Sequence, residues 1–365
     1  MKAAVCRAFG APLVIEEVSL RPPAGSEIEV QVAACAICHS DIHYMEGAWG
    51  GRLPAVYGHE GAGIVRAVGP QVTGLAPGDH VAVTLLRSCG RCHYCMSGRP
   101  HLCEAAFPLD AASPITGAGG EPIAQAMKTG AFAEAVLVEQ SQVVKLPDAI
   151  GFDVASLLSC GVLTGFGAVV NTAQVPFGAS VAVIGTGGVG LNCLQGAAIS
   201  GAYPVIAIDI AAAKLEAARG FGASHVVDAA AGDTADAVRG ITGGRGADYV
   251  FVSVGSTAAL EQGLSLLADG GALVVVGMPP SGVMSTYEPV NLAYRSQRII
   301  GSRMGSARLA VDLPRLVEAY RQGRLKLDEL ITGRYPLERI NEAIDSARRG
   351  NALRNVIVFD LISPP

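Results

Sequence analysis

The stretch Ser-Val-Ala-Val-Ile-Gly-Thr-Gly-Gly-Val-Gly, residues 180–190, decides how this chain is read. An apolar run of strand length ends at Gly185, and a helix is expected to open at about Val189. In that context Gly185 permits a tight turn, Gly187 lets the backbone approach a pyrophosphate, and Gly190 lets the helix pack on the strand. The helix amides around Gly188 and Val189 then face the phosphate charge. A glycine pattern alone is weak, and the next strand strengthens it. Val205-Ile-Ala-Ile-Asp209 ends in an acid nineteen positions beyond Gly190, where ribose hydroxyls are bound in such units. A carboxylate there accepts hydrogen bonds from ribose but repels a 2′-phosphate. At about 4 Å and an effective dielectric near 20 that repulsion is roughly 4 kcal/mol, about a thousandfold in affinity. No arginine follows Asp209 closely and Lys214 is the nearest cation, so NAD is the expected dinucleotide.

Outward from this point the texture repeats. Apolar runs at 180–184, 205–209, 249–254 and 272–276 alternate with Ala- and Gly-rich helical stretches, the βαβ signature of a parallel, doubly wound Rossmann sheet. The first 150 residues differ. Short β-branched runs at 27–32, 61–68, 80–84 and 133–138, broken by Gly and Pro, read as compact, mostly antiparallel β structure. The tail supplies helices at 312–322 and 340–348 and a last strand at 355–359. The expected fold class is thus α/β, with a mostly β domain at 1–155, a Rossmann domain at 156–301 and a tail at 302–365. The stretch 105–130 reads as the least structured.

Composition narrows the function. Hydrophobic residues are 50% of the 365, charged residues 16%, and the net charge is -5. That is enough apolar surface for two cores, and it lacks the clustered Lys and Arg that nucleic acid or an anionic membrane demands. The amino-terminal segment reaches Glu16 and Glu17 before any secretory apolar core develops, and no apolar run approaches bilayer length, so a cytoplasmic protein with a small-molecule ligand is expected. Nine cysteines in such a chain point to metal rather than disulfides.

Four of them fall in a fifteen-residue window: Cys89-Gly-Arg-Cys92-His-Tyr-Cys95, then Cys103. Four thiolates close a tetrahedral shell, which makes a zinc ion there structural. His93 and His101 share the loop and read as spectators. The other constellation is scattered: Cys38-His-Ser-Asp-Ile-His43, Gly58-His59-Glu60-Gly61 and Ser159-Cys160-Gly161. Singly, a cysteine or histidine is more often a core residue than a ligand. Together they supply two thiolates and an imidazole, and three protein ligands with an open fourth position describe a catalytic zinc.

These segments resemble the zinc-containing medium-chain alcohol dehydrogenases over nearly the whole chain. The matches are Cys38-His-Ser-Asp-x-His43, Gly58-His-Glu-Gly-x-Gly63, Gly78-Asp-x-Val81, the four-cysteine lobe at 87–105, Cys160-Gly-Val-Leu-Thr-Gly165 and Gly185-x-Gly-Gly-Val-Gly190. The resemblance implies a GroES-like catalytic domain beside the Rossmann domain, with the tail at 302–365 returning to the catalytic domain, and two zinc ions per subunit. Cys38, His59 and Cys160 would hold the catalytic ion, and Cys89, Cys92, Cys95 and Cys103 the structural one. Glu60 would neighbour the catalytic ion, and Asp41 would fix the ring of His59. Cys6, Cys35 and Cys193 are left as small core residues.

The implied reaction is reversible oxidation of a primary alcohol to an aldehyde by hydride transfer to NAD. By analogy with metal-bound water, zinc would lower the hydroxyl pKa from about 16 to near 7, roughly 12 kcal/mol. Ser40 would accept the proton and the imidazole of His43 would exchange it with solvent. His39, Thr164 and Arg354 resemble cofactor-contacting positions, although Arg354 could equally pair with an acid. Trp49, Leu85 and Met278 fall near the alcohol pocket, and Leu85 stands where relatives often carry an aromatic residue, which favours bulky or aromatic alcohols. Two other readings remain: oxidation of an S-(hydroxymethyl)thiol, the adduct of formaldehyde with a thiol, and a catalytically silent NAD-binding protein on the same fold. A sheet edge, at about 287–302, would make the chain a homodimer or homotetramer.

Overall fold

The computed structural model describes residues 1–350 and 352–361. The chain divides into two compact units, one of residues 1–160, 308–321 and 327–365, the other of 161–307 and 322–326.

In the second unit six parallel strands pair in the order His225–Asp228, Val205–Asp209, Val181–Ile184, Ala247–Val252, Leu267–Val275, Arg298–Gly301. The first strand in the chain is central, and the order reverses beside it, which creates a crevice outside the carboxyl ends of Val181–Ile184 and Ala247–Val252. Central strands covered on both faces must be apolar throughout. Val181, Ala182, Val183, Ile206, Ala207, Ile208, Val250, Phe251 and Val252 are accordingly buried, and Ile184 nearly so. Val181–Ile184 runs through the glycine turn into the helix Gly188–Ile199.

The first unit holds a small closed barrel of Lys2–Cys6, Val14–Leu20, Ile115–Gly117, Pro122–Gln125 and Ala55–Val56. Beside it lies a seven-stranded sheet in the order Val143–Lys145, His80–Val83, Glu60–Val68, Glu27–Ala36, Arg354–Val358, Ile331–Pro336, with Ala135–Glu139 also pairing with Glu27–Ala36. Glu27–Ala36 is the spine of this sheet: it pairs with Glu60–Val68 along most of its length and takes the tail strand Arg354–Val358 at its far end. Two site-bearing segments, 58–60 and 354, are therefore brought to the end of one strand by backbone hydrogen bonds. The tail helices are Leu309–Arg321 and Ile340–Arg348.

Two expectations change. The stretch 105–130 is ordered, with the helix Pro108–Ala111 and two barrel strands, Ile115–Gly117 and Pro122–Gln125. Those strands are three and four residues long and pair with each other and with Val14–Leu20 and Ala55–Val56, so no local periodicity announces them. The edge segment 287–302 is only partly strand. Pro289–Tyr294 is helical, with Pro289 in its first turn where a missing N–H costs nothing, and just Arg298–Gly301 pairs with the sheet.

Candidate active site

Cys38 is the N-cap of the helix His39–Met45. The buried Asp41 carboxylate folds back at the start of this helix, accepting from Cys38 N–H at 3.2 Å through Oδ2 and from Gly58 N–H at 3.0 Å through Oδ1. Gly58 has φ +91°, and a Cβ there would stand 2.6 Å from the Phe132 nitrogen, so only glycine lets the chain turn here. The turn delivers His59, whose Nδ1 lies 3.0 Å from Asp41 Oδ1, both side chains fully buried. With Nδ1 so engaged, the buried Nε2 has no hydrogen-bond partner among the described residues. An orphaned buried imidazole nitrogen is costly unless something else binds it.

What faces it answers the question. Cys38, His59, Glu60 and Cys160, all buried, offer ligand atoms that lie within 4.8 Å of one another. Cys160 follows the helix Phe152–Leu158, so the group is assembled from three segments separated by up to 122 positions. The Cys38 thiol is drawn well below its usual range, first by its hydrogen bond with Cys160 and, against the penalty of burial, by His59 and Arg354. Two soft sulfurs and an orphaned imidazole nitrogen form a donor set suited to zinc. Glu60 Oε1 is also buried without a partner, while Oε2 accepts from Arg354 Nη2. Burial pushes the Glu60 carboxyl up to about 7, even though the Arg354 guanidinium pulls the other way. Arg354 pairs with this acid through Nη2, in a buried ion pair that spans 294 positions of sequence, while its Nε has no partner among the described residues.

Of the remaining candidates in this unit, His39, Ser40 and His43 lie on the same helix and Trp49 packs against it. Ser40 and His43 are three positions apart on His39–Met45, the spacing that puts two side chains on one face. Ser40 and His43 are half-buried and His39 is exposed. The His43 ring packs on Trp49 with centroids 5.1 Å apart. Leu85 is half-buried two residues beyond His80–Val83.

The four-cysteine lobe is a second possible metal centre. Its Sγ atoms also lie within 4.8 Å of one another, and none is fully buried. Backbone N–H groups point at the sulfurs: Cys89 N donates to Cys103 Sγ and Cys92 N to Cys89 Sγ, each at 3.3 Å. The Cys92 thiol is lowered to about 6, first by the backbone at Cys95 and then at Glu104. The buried residue that sequence reading missed is Arg87, at the stem of the lobe. It donates to Gln142 Oε1 at 2.7 Å, to Asp110 Oδ1 at 2.7 Å and to the Lys128 carbonyl at 3.1 Å, and so ties the 105–130 stretch down. Its only sequence signal is a lone arginine in an apolar run. Cys6, Cys35 and Cys193 are fully buried.

In the other unit Gly187 is the extended N-cap of Gly188–Ile199. A Cβ on Gly190 would fall 1.8 Å from the Gly185 carbonyl, and Gly185 itself has φ +87°, so these two glycines serve the turn. Gly187 differs: a Cβ there would meet nothing within 4 Å. The open space lies at a helix N-terminus whose first amides lack intrahelical partners, as a bound pyrophosphate requires. Asp209 ends its strand as expected, and its carboxylate takes hydrogen bonds from Thr186, Ile210 and Ala211. Lys214 is half-buried in the helix Ala212–Gly220, Thr164 is buried in Gly161–Gly167 with its hydroxyl 3.6 Å from Met304 sulfur, and Met278 is largely exposed.

Comparison with known proteins agrees with this chemistry. Residues 24–148 match the alcohol dehydrogenase GroES-like domain and residues 188–320 the zinc-binding dehydrogenase domain. The chain therefore belongs to the zinc-binding alcohol dehydrogenases of the medium-chain dehydrogenase/reductase family. It is 36% identical over 373 residues to the NDMA-dependent alcohol dehydrogenase of Amycolatopsis methanolica, covering 98% of each chain. It is also 36% identical over 366 residues, 98% of this chain and 96% of the other, to a Schizosaccharomyces pombe protein named "Probable S-(hydroxymethyl)glutathione dehydrogenase 1". The structure of benzyl alcohol dehydrogenase from Acinetobacter calcoaceticus superposes with a TM-score of 0.92 at 32% identity, covering 98% and 99% of the two chains. Among the described residues no single helix is long and apolar enough to cross a membrane.

Proposed function

We propose that the protein is an NAD-linked zinc alcohol dehydrogenase that converts primary alcohols, including bulky or aromatic ones, to aldehydes and back. The observation that carries this reading is the orphaned Nε2 of His59 facing the thiols of Cys38 and Cys160, in a chain whose second Rossmann strand ends in Asp209. Cys38, His59 and Cys160 would hold the catalytic zinc, and the lobe cysteines a structural one. When bound, zinc supplies an electrophile for the alcohol oxygen and the nicotinamide supplies the hydride acceptor.

The chain's own groups do the rest. Asp41 fixes the His59 ring through Nδ1, which settles the tautomer and leaves Nε2 as the donor atom. Ser40 Oγ takes the proton that leaves the alcohol hydroxyl, and the His43 imidazole exchanges it with solvent. His39 and Arg354 Nε, the latter buried without a partner, are the candidate pyrophosphate donors, and Thr164, Lys214, Gly185, Gly187, Gly188, Val189, Gly190 and Asp209 complete the cofactor set. Trp49, Leu85 and Met278 are the proposed pocket residues. The balance is one alcohol and NAD⁺ giving one aldehyde, NADH and a proton.

The second reading, oxidation of an S-(hydroxymethyl)thiol, is favoured by the likeness to the fission-yeast protein. One experiment separates the two: NADH formation by the zinc-loaded protein across aliphatic, benzylic and terpenoid primary alcohols, beside formaldehyde with several thiols, each with and without NDMA. Turnover of bulky alcohols supports the first reading, and activity confined to formaldehyde with a thiol supports the second. Turnover that needs NDMA would mean that reducing equivalents leave by that acceptor rather than as free NADH. We also propose a homodimer or homotetramer formed along Arg298–Gly301, where Met284 and Tyr294 are more than four-fifths exposed, to be checked by light scattering.

A further inference from the structure

We infer that Thr186, which lies between the first two glycines of the cofactor turn, is a positioning residue for dinucleotide choice: its hydroxyl locks the Asp209 carboxylate in place. The inference rests on the reading of Asp209 as the group that accepts ribose hydroxyls.

The carboxylate is held at both oxygens. Oδ2 accepts from the Thr186 backbone N–H at 2.7 Å and from its hydroxyl at 3.1 Å, and Oδ1 accepts from Ile210 N–H at 2.8 Å and Ala211 N–H at 3.0 Å. Thr186 is fully buried and Asp209 is 8% exposed, so water does not compete freely for these bonds. Three of the four donors are main-chain groups that any residue supplies. Among the described residues the Thr186 hydroxyl is the one donor that a side chain contributes, and therefore the one that sequence can tune.

Its consequence follows from how a carboxylate selects between dinucleotides. Ribose hydroxyls donate to it, whereas a 2′-phosphate repels it, and repulsion discriminates only while the charge cannot turn away. A carboxylate held from two sides cannot change rotamer without breaking bonds to buried donors, each of which would then be left unsatisfied. With the hydroxyl gone, Oδ2 keeps a single backbone donor and the side chain gains freedom to swing. The 2′-phosphate form then binds more easily, while the 2′-hydroxyl form loses only some preorganisation.

The test is direct binding of NADH and NADPH to the zinc-loaded full-length protein, followed by the fluorescence of the bound reduced nucleotide. Thr186→Val keeps the β-branched shape and removes the hydroxyl, Thr186→Ala removes both, Thr186→Ser keeps the hydroxyl, and Asp209→Ala marks full loss of selection. The expected result is a preference for NADH over NADPH narrowed about fivefold in Thr186→Val and Thr186→Ala, the size of one hydrogen bond's net contribution, and restored in Thr186→Ser. Equal weakening of both nucleotides in Thr186→Val and Thr186→Ala, with the ratio unchanged while Asp209→Ala collapses it, would overturn the inference and leave the role of Asp209 standing. An unchanged ratio in Asp209→Ala would remove the reading beneath it, and this inference with it.

Discussion

The two cysteine sites in the first unit both offer thiols, one with an imidazole beside them, and they are built in opposite ways. Cys89, Cys92, Cys95 and Cys103 lie within fifteen residues, partly exposed, with backbone N–H groups of their own loop on the sulfurs. Cys38, His59 and Cys160 are fully enclosed and come together only because the helix His39–Met45, the strand Glu60–Val68 and the helix Phe152–Leu158 have been placed first. The lobe is a short segment with two helical turns, His93–Met96 and Pro100–Leu102, and no buried cysteine, so on the proposed assignment a metal there would contribute folding energy. In the buried site the Asp41–His59 hydrogen bond and the Glu60–Arg354 ion pair orient the side chains, so on the proposed assignment a metal there would add reactivity more than stability. On the proposed assignment, two thiolate-bearing sites would divide into structural and catalytic roles according to what else holds their ligands.

Single substitutions can break that contrast. The largest expected effect is that of Cys160→Ala, which should lower NADH formation by at least about a thousandfold, on the order of 4 kcal/mol, while thermal unfolding shifts little. A fall in activity matched by a collapse in melting temperature would show that both sites are structural. Cys103→Ala should do the converse. Loss of the lobe metal is expected to cost on the order of 3–4 kcal/mol, lower the melting temperature by about 10 °C and admit protease cleavage within 89–103, with kcat per folded molecule largely retained.

Two smaller effects sharpen the buried site. Asp41→Asn keeps an acceptor near His59 Nδ1 but removes its charge. Zinc affinity, followed by competition with a chelator, should fall about tenfold to a hundredfold. His43→Ala should slow turnover about tenfold below neutral pH and progressively less as hydroxide replaces the missing base. A pH–rate profile that keeps its shape would take His43 out of the proton path.

The same contrast explains what could be read from sequence. The four-cysteine lobe, the glycine turn at 185–190 and the terminal acid of Val205–Asp209 are local, so residue spacing alone exposes them. The Rossmann strands were legible because buried parallel strands are apolar throughout, and the helix Ile340–Arg348 because its apolar face repeats. The gathering of Cys38, His59 and Cys160 was legible only through resemblance to a family, since no periodicity links positions 38, 59 and 160. The pairing of Glu60 with Arg354 depends on Arg354–Val358 lying beside Glu27–Ala36, a contact between the two ends of the chain. The barrel strands within 105–130 and the Arg87 ties failed to show for a related reason. Short strands and single buried polar groups take their meaning from partners far away, and the hydroxyl of Thr186 looks like any other residue between two glycines until the Asp209 carboxylate is beside it.

Two zinc ions with separable roles would show in the zinc content per chain, measured by plasma mass spectrometry on the purified wild type and on Cys160→Ala and Cys103→Ala. The expected contents are two, one and one, with alcohol-dependent NADH formation lost only in Cys160→Ala. A single zinc in the wild type that survives Cys160→Ala, or full activity in that variant, would contradict this assignment.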